Sequence, residues 1–133
     1  MKADRMVILG WTLSGLFAVF LLFASVVPKL TMMAVAEQTI RDLGWPAGYA
    51  FSIGVIELLG IFLYLYRRTN VLGAVLLMAL LGGAVATHLR AGSPPASHTL
   101  FGVYLGLFMW GGLWLRDPEL RRLFPWRARK VSN

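Results

Sequence analysis

The residue that points most directly to chemistry is Glu57, a carboxyl group inside a long apolar segment. It is the only charged residue in positions 47–66, and it lies about ten residues into this segment, near the middle of a membrane-spanning helix. An ionisable side chain at that depth is costly and is by default a functional-site hypothesis. Glu57 could couple to protons or bind a polar ligand group. Alternatively, it could be neutral, or paired with Lys29 or Arg90, and fasten the helices together.

Four further polar residues are predicted to share the outer half of the membrane with Glu57. Lys29 follows the first apolar segment and either pairs with Glu57 or marks the interface. Thr87, His88 and Arg90 close the third segment. His88 is of the residue type that titrates near neutral pH, although a histidine at a helix end is also typical of hydrogen-bonded scaffolding. The five residues could converge on one cavity, and an apolar cavity with a few polar groups is the usual form of a small-molecule site.

Thiol, metal and haem chemistry are disfavoured by the residue types. The chain contains no cysteine, which excludes thiol redox chemistry, thiolate metal sites, iron–sulfur clusters and disulfides. His88 and His98 flank one connection, but two imidazoles without neighbouring carboxylates are a weak metal or haem signal. The sequence has no phosphate-binding loop, nucleophile elbow or zinc-protease helix. We therefore predict no catalytic residue and no metal, with a quinone as the one cofactor under consideration.

The composition is that of a membrane protein. Of the 133 residues, 58% are hydrophobic and 14% are charged, which is too apolar for an ordinary soluble domain. The first apolar run is longer than the roughly 7 to 15 residues of a signal peptide, so we expect it to be retained as a helix. We predict one all-α integral membrane domain over residues 1–133, a bundle of four transmembrane helices. The predicted spans are 6–27, 47–66, 71–89 and 99–115.

The basic residues predict the orientation of the four spans. Three of them, Lys29, Arg41 and Arg90, fall on the side opposite to the termini. This asymmetry places both termini in the cytoplasm. The net charge of +7 is then explained by basic residues that contact membrane lipids. We therefore do not expect nucleic acid as a partner. Ten basic residues fall on the side of the termini: Lys2, Arg5, Arg67, Arg68, Arg116, Arg121, Arg122, Arg127, Arg129 and Lys130.

Two connecting segments are predicted to form short helices. The one between the first two spans is amphipathic, which indicates an interfacial helix on the outer surface, and Gly44 supplies its stop. After the fourth span, Asp117 is the predicted N-cap and Pro118 the first-turn residue of a short basic cytoplasmic helix. Residues 90–98 are rich in Gly, Ser and Pro, which predicts a loop. The apolar face of the interfacial helix consists of Met33, Ala36, Ile40 and Leu43.

Small residues at helical spacing predict close approach between helices. Such faces serve either a tight bundle or contact with a membrane protein partner or a second copy of the chain. The residues concerned are Gly54 and Gly60 beside Glu57, Ala79 and Gly83 in the third span, and Gly102 and Gly106 in the fourth.

Several blocks in a fixed order carry a family resemblance. They are PKL at 28–30, LGWP at 43–46, GVIELLG at 54–60, GGAVATHLR at 82–90 and LRDP at 115–118. In this order they resemble the DoxX-like family of small four-helix membrane proteins. The resemblance implies the bacterial inner membrane and the site residues Lys29, Glu57, Thr87, His88 and Arg90. Relatives in such a family include subunits of thiosulfate:quinone oxidoreductases, proteins of thiol or oxidative stress complexes, and assembly chaperones for membrane receptors.

Three functions are compatible with these features. The leading hypothesis is a non-catalytic accessory subunit that binds a quinone or a lipid in a cavity of the outer half and belongs to a redox or stress-response complex. The second is a protein that assembles or anchors a membrane partner. The third is a proton-coupled exporter that uses Glu57.

Overall fold

A computed structural model describes residues 2–127 and 129, and every regular element in these residues is helical. The helices are α1 (Lys2–Leu21), α2 (Val27–Leu30), α3 (Ala34–Asp42), α4 (Tyr49–Leu65), α5 (Asn70–Ala91), α6 (Phe101–Arg116) and α7 (Pro118–Leu123). A π-helical turn, Leu22–Val26, joins α1 to α2, and a second π-helical turn, Pro95–Thr99, precedes α6.

Three helical stretches are long and apolar enough to cross a membrane, namely Lys2–Leu30, Asn70–Ala91 and Pro95–Arg116. The fourth apolar helix, α4, has only 17 residues. With a rise of 1.5 Å per residue it is about 25 Å long, somewhat shorter than the roughly 30 Å hydrocarbon core of a bilayer. The predicted all-helical membrane architecture is confirmed, while the count of four crossings stays a prediction.

The ends of the helices follow from local sequence. Gly44 has a φ of +89°, and the Trp45 N–H donates to the Ile40 carbonyl at 3.1 Å, so α3 ends where a glycine stop was predicted. Asp117 accepts hydrogen bonds from the N–H groups of Glu119 and Leu120, which confirms it as the N-cap of α7.

The connection 90–98 differs from its prediction as a loop. Gly92 ends α5 in a left-handed conformation with a φ of +70°. Pro95 then opens a helical turn, in which the Leu100 N–H donates to the Pro95 carbonyl at 2.9 Å. Proline fits there because the first turn of a helix needs no N–H donor from it. The helical stretch that contains α6 therefore starts at Pro95, four residues earlier than predicted.

The helices pack as a ring in which each contacts its neighbours. α1 lies along α6, α6 lies along α5, and α5 lies along α4. α4 also packs against α2 and against the π-helical turn that precedes α2. Tyr64, Leu77, Met109 and Leu113 belong to the core and are at most 1% exposed. Both cavities are lined by residues near the C-terminal end of α5, such as Thr87.

Two of the glycines predicted to aid packing lie on α4 at tight contacts. A Cβ atom on Gly60 would lie 2.7 Å from Leu77 Cδ2, and one on Gly54 would lie 2.9 Å from Lys29 Cβ. On α6, a Cβ on Gly102 would lie 2.9 Å from Val85 Cγ2. A side chain at any of these positions would force the neighbouring side chain to shift.

The other small residues give a mixed result. Gly106 has room for a Cβ, which would be in ordinary contact with Met78 Sδ at 3.4 Å. A Cβ on Gly83 would meet no atom within 4 Å, and both Gly83 and Ala79 line a cavity. These two do not pack against a neighbouring helix, because the face of α5 that carries them borders open space, and their contact with a partner or a second copy stays a prediction.

Arg116 is buried, which was not predicted from the sequence. It is one of the ten basic residues assigned to the side of the termini, and it is only 5% exposed. Its Nε donates to Ser14 Oγ at 3.0 Å and its Nη2 donates to the Tyr64 carbonyl at 2.6 Å. The guanidinium also lies 4.2 Å from the ring centroid of Trp11 and 4.8 Å from that of Tyr64. It thus links the ends of α4 and α6 to the middle of α1.

Candidate functional site

Glu57 is paired with Lys29, which is one of the alternatives that the sequence left open. The carboxylate is 8% exposed, and Lys29 Nζ lies 2.9 Å from its Oε1. The Ser25 hydroxyl donates to the same carboxylate, 2.9 Å from Oε2 and 3.1 Å from Oε1. Lys29 in turn donates to Ser25 Oγ. The three side chains form a compact, mutually hydrogen-bonded cluster between α4 and the first helical column, which consists of α1, the π-helical turn and α2.

The π-helical turn places Ser25 beside the pair. Pro28 has no N–H and its ring conflicts with regular α-helical bonding to the preceding turn, and the preceding segment, Leu22–Val26, is π-helical. Ser25 and Lys29 are four residues apart and lie on the same face, toward α4. Neither the π-helical turn nor the role of Ser25 was predicted. The available signal was Pro28 within an otherwise helical segment, since single π-helical turns often occur at functional sites.

Beside this cluster lies a cavity of about 430 Å³. Its walls come from the end of the first helical column, α3, α4 and α5. Ser25, Lys29 and Glu57 supply polar atoms on one side, and Thr87 and His88 supply them from α5. The remaining lining residues are mostly apolar. Four of the five predicted site residues therefore meet at one space.

The amphipathic helix α3 covers this cavity. Its apolar residues Ala36, Ile40 and Leu43 all line the cavity, and Ile40 is only 8% exposed. Met33, the fourth residue of the predicted apolar face, is 47% exposed. Most of the apolar face is thus turned toward the protein interior, a feature that the prediction of an interfacial helix did not include.

The histidines are held by neighbouring serines. His88 Nδ1 lies 2.9 Å from Ser93 Oγ, and His98 Nδ1 lies 2.7 Å from Ser97 Oγ. The two imidazole rings meet edge to face with centroids 5.9 Å apart. In residues 2–127 and 129 no group of three metal-ligating side chains is found. His88 contributes to the cavity wall, while His98 supports it from the other side of the connection.

Arg90 stands apart from the other predicted site residues. It does not line the large cavity but a neighbouring one of about 320 Å³. Its Nη2 donates to the Leu43 carbonyl at 3.3 Å, so it links the end of α5 to the end of α3. Thr87 lines both cavities, and its hydroxyl donates to the Gly83 carbonyl at 2.8 Å. Its oxygen keeps a lone pair for a second partner.

The fold and site define a class of protein: a small all-helical membrane protein with a mostly apolar cavity next to a largely buried ion pair. Residues 12–112 match the DoxX-like family model, and the chain belongs to this family. The matched segment contains the Lys29–Glu57 pair as well as Thr87, His88 and Arg90. No curated protein and no solved structure matches the chain.

Proposed function

We propose that this DoxX-like protein is a non-catalytic accessory subunit that holds an apolar ligand with a polar head, a quinone or a lipid, and serves a redox or stress-response complex. The observation that carries the proposal is the cavity of about 430 Å³ bordered by the Lys29–Glu57 pair. Its volume lies in the range of about 300 to 1,000 Å³ that is common for small-molecule sites.

The polar groups suit a ligand head that can accept and donate hydrogen bonds. Lys29 has three N–H donors, of which two are directed at Ser25 and Glu57. Thr87 can accept a hydrogen bond, and His88 offers its second ring nitrogen. The apolar lining suits a ring or an alkyl chain. A reaction would need a partner that supplies electrons, because the described side chains include no redox group.

The test fills the cavity with a side chain that the helix can accommodate. Gly83→Leu adds volume where a Cβ meets no atom, and we expect it to reduce the quinone or lipid that co-purifies by roughly tenfold or more. Gly82→Leu is the matched control, since Gly82 is equally open but is not part of the cavity wall. The measurement is mass spectrometry of organic extracts from both variants and the wild type, purified in mild detergent.

The ligand content of the wild type and the variants decides between the possible outcomes. The proposal is supported if the wild type and Gly82→Leu retain a quinone or one specific lipid that Gly83→Leu loses. If His88→Ala loses the same ligand, the polar head lies at the His88 end of the cavity. Equal ligand content in all samples, or no selective ligand in any, refutes it. The absence of a selective ligand from every sample would favour the assembly or anchoring function instead.

We further propose four crossings of the bacterial inner membrane with both termini in the cytoplasm. The chain has no cysteine, so single cysteines at Ala47 and Arg68, the exposed positions flanking α4, report its sides without background. A membrane-impermeant maleimide should label Ala47→Cys in intact spheroplasts and Arg68→Cys only after lysis. Labelling of both from outside would mean that α4 does not cross, and the reverse pattern would invert the orientation.

A further inference from the structure

The second cavity adjoins the first at the outer end of α5 and has an arginine in its wall. It is lined by Gly44, Trp45, Ala86, Thr87 and Arg90, and two of these residues, Trp45 and Thr87, also line the large cavity. The two spaces thus border the same two side chains. Arg90 is three residues from Thr87, about one helical turn along α5, so an amphiphile in the large cavity needs to extend only about that far to reach it.

The guanidinium of Arg90 has donors left for a ligand. Its hydrogen bond to the Leu43 carbonyl, 3.3 Å long, uses one of five N–H donors. Among the residues that the structure describes, no carboxylate forms an ion pair with Arg90. Asp42, at the end of α3, accepts from the Gln38 amide at 2.7 Å instead. The positive charge beside the second cavity is thus uncompensated by a neighbouring carboxylate.

Gly44 allows the guanidinium to lie against the backbone of the chain. A Cβ atom on Gly44 would lie 2.8 Å from Arg90 Nη2, so a larger residue would displace the arginine. Gly44 also has a φ of +89°, which L side chains rarely adopt. The end of α3 therefore contacts the guanidinium through the Leu43 carbonyl and leaves space for it at Gly44.

We propose that Arg90 determines the specificity of the site and selects an amphiphile with an anionic head. The head lies in the second cavity against the guanidinium, and the apolar part lies in the large cavity under α3. This inference rests on the proposed function and names the class of its ligand. A guanidinium binds phosphate or carboxylate through two parallel charge-assisted hydrogen bonds, which a neutral quinone carbonyl cannot match. Phospholipids and fatty acids both present such a head.

The experiment compares matched ligands on wild type, Arg90→Gln and Arg41→Gln. Arg41 is exposed on α3 and lines neither cavity, so it controls for the loss of one positive charge at this end. Dioleoyl phosphatidylglycerol, dioleoyl phosphatidylcholine, oleate and a ubiquinone are titrated by native mass spectrometry in neutral detergent. We expect an anionic ligand to bind the wild type roughly tenfold more tightly than phosphatidylcholine. Arg90→Gln should abolish this preference, and Arg41→Gln should keep it.

Comparison of phosphatidylglycerol with oleate identifies the source of the head. Ala86→Phe is a second variant that fills the second cavity without changing charge, and we expect it to lower anionic binding at least as strongly as Arg90→Gln. If wild type binds phosphatidylcholine or ubiquinone as well as the anionic ligands, or if folded Ala86→Phe keeps the preference, the inference is wrong while the proposed function stands. If none of the four ligands binds, both fail.

Discussion

Lys29→Met is expected to destabilise the protein by about 3 to 5 kcal/mol, because it leaves the carboxylate of Glu57 buried without its cation. Glu57 is 8% exposed and Lys29 Nζ is 2.9 Å from its Oε1. The Ser25 hydroxyl remains as a donor, but one neutral hydrogen bond does not replace an ion pair. Reversible unfolding in mixed micelles with increasing sodium dodecyl sulfate measures the change.

The double variant Lys29→Met, Glu57→Gln is the control for this prediction. It removes both charges at nearly constant volume, and we expect it to recover most of the stability lost in Lys29→Met, since replacing a whole buried pair is often close to neutral. The complete cycle with Glu57→Gln gives the coupling between the two residues. Additive effects of the two single changes would contradict the pairing.

The sequence was sufficient to predict the long helices and part of the site. Long apolar runs separated by turn residues fixed the helical stretches, and Asp117 and Gly44 correctly marked a helix start and a helix stop. The cost of burying Glu57 made pairing with Lys29 or Arg90 one of the alternatives, and the structure shows the pair with Lys29. These predictions succeed because they depend on length, local hydrogen bonding and the energy of one buried charge.

Other features depend on packing between distant segments and could not be predicted from local sequence. The apolar face of α3 is as compatible with lipid as with a cavity wall, and its contact with the interior depends on how α3 packs against α2 and α4. Gly83 has the same spacing signal as a packing glycine but borders open space. Ser25 lies in the π-helical turn, and its hydroxyl donates a hydrogen bond to the Glu57 carboxylate.

Arg116 shows the same limit for charge. Arg116 and Arg122 both lie near the cytoplasmic end of the predicted topology. Arg116 is buried, whereas the side chain of Arg122 is 67% exposed. The difference arises because Trp11, Ser14 and Tyr64 form a pocket for one guanidinium. Residues on α1 and α4 supply this pocket, so nothing in the sequence near Arg116 indicates it.

Arg116→Gln is therefore expected to cost about 3 kcal/mol or more, the largest effect of any basic residue near this end. Arg116 Nε donates to Ser14, the Ser14 hydroxyl lies 2.9 Å from the Tyr64 hydroxyl, and the latter donates to the Met109 carbonyl at 2.7 Å. These bonds form one relay from α6 through α1 and α4 back to α6. Removing the guanidinium leaves buried acceptors without a donor, which is costly when a charged partner is lost.

Two comparisons separate this relay from a general effect of charge. Arg122→Gln removes an equal charge from an exposed side chain and should change the free energy of unfolding by less than about 0.5 kcal/mol. Arg116→Lys keeps the charge but not the planar fork that reaches Ser14 and the Tyr64 carbonyl together, so it should recover only part of the loss. Full recovery by lysine would show that positive charge alone is needed at this position, and the relay would then have no measurable part in holding α1, α4 and α6 together.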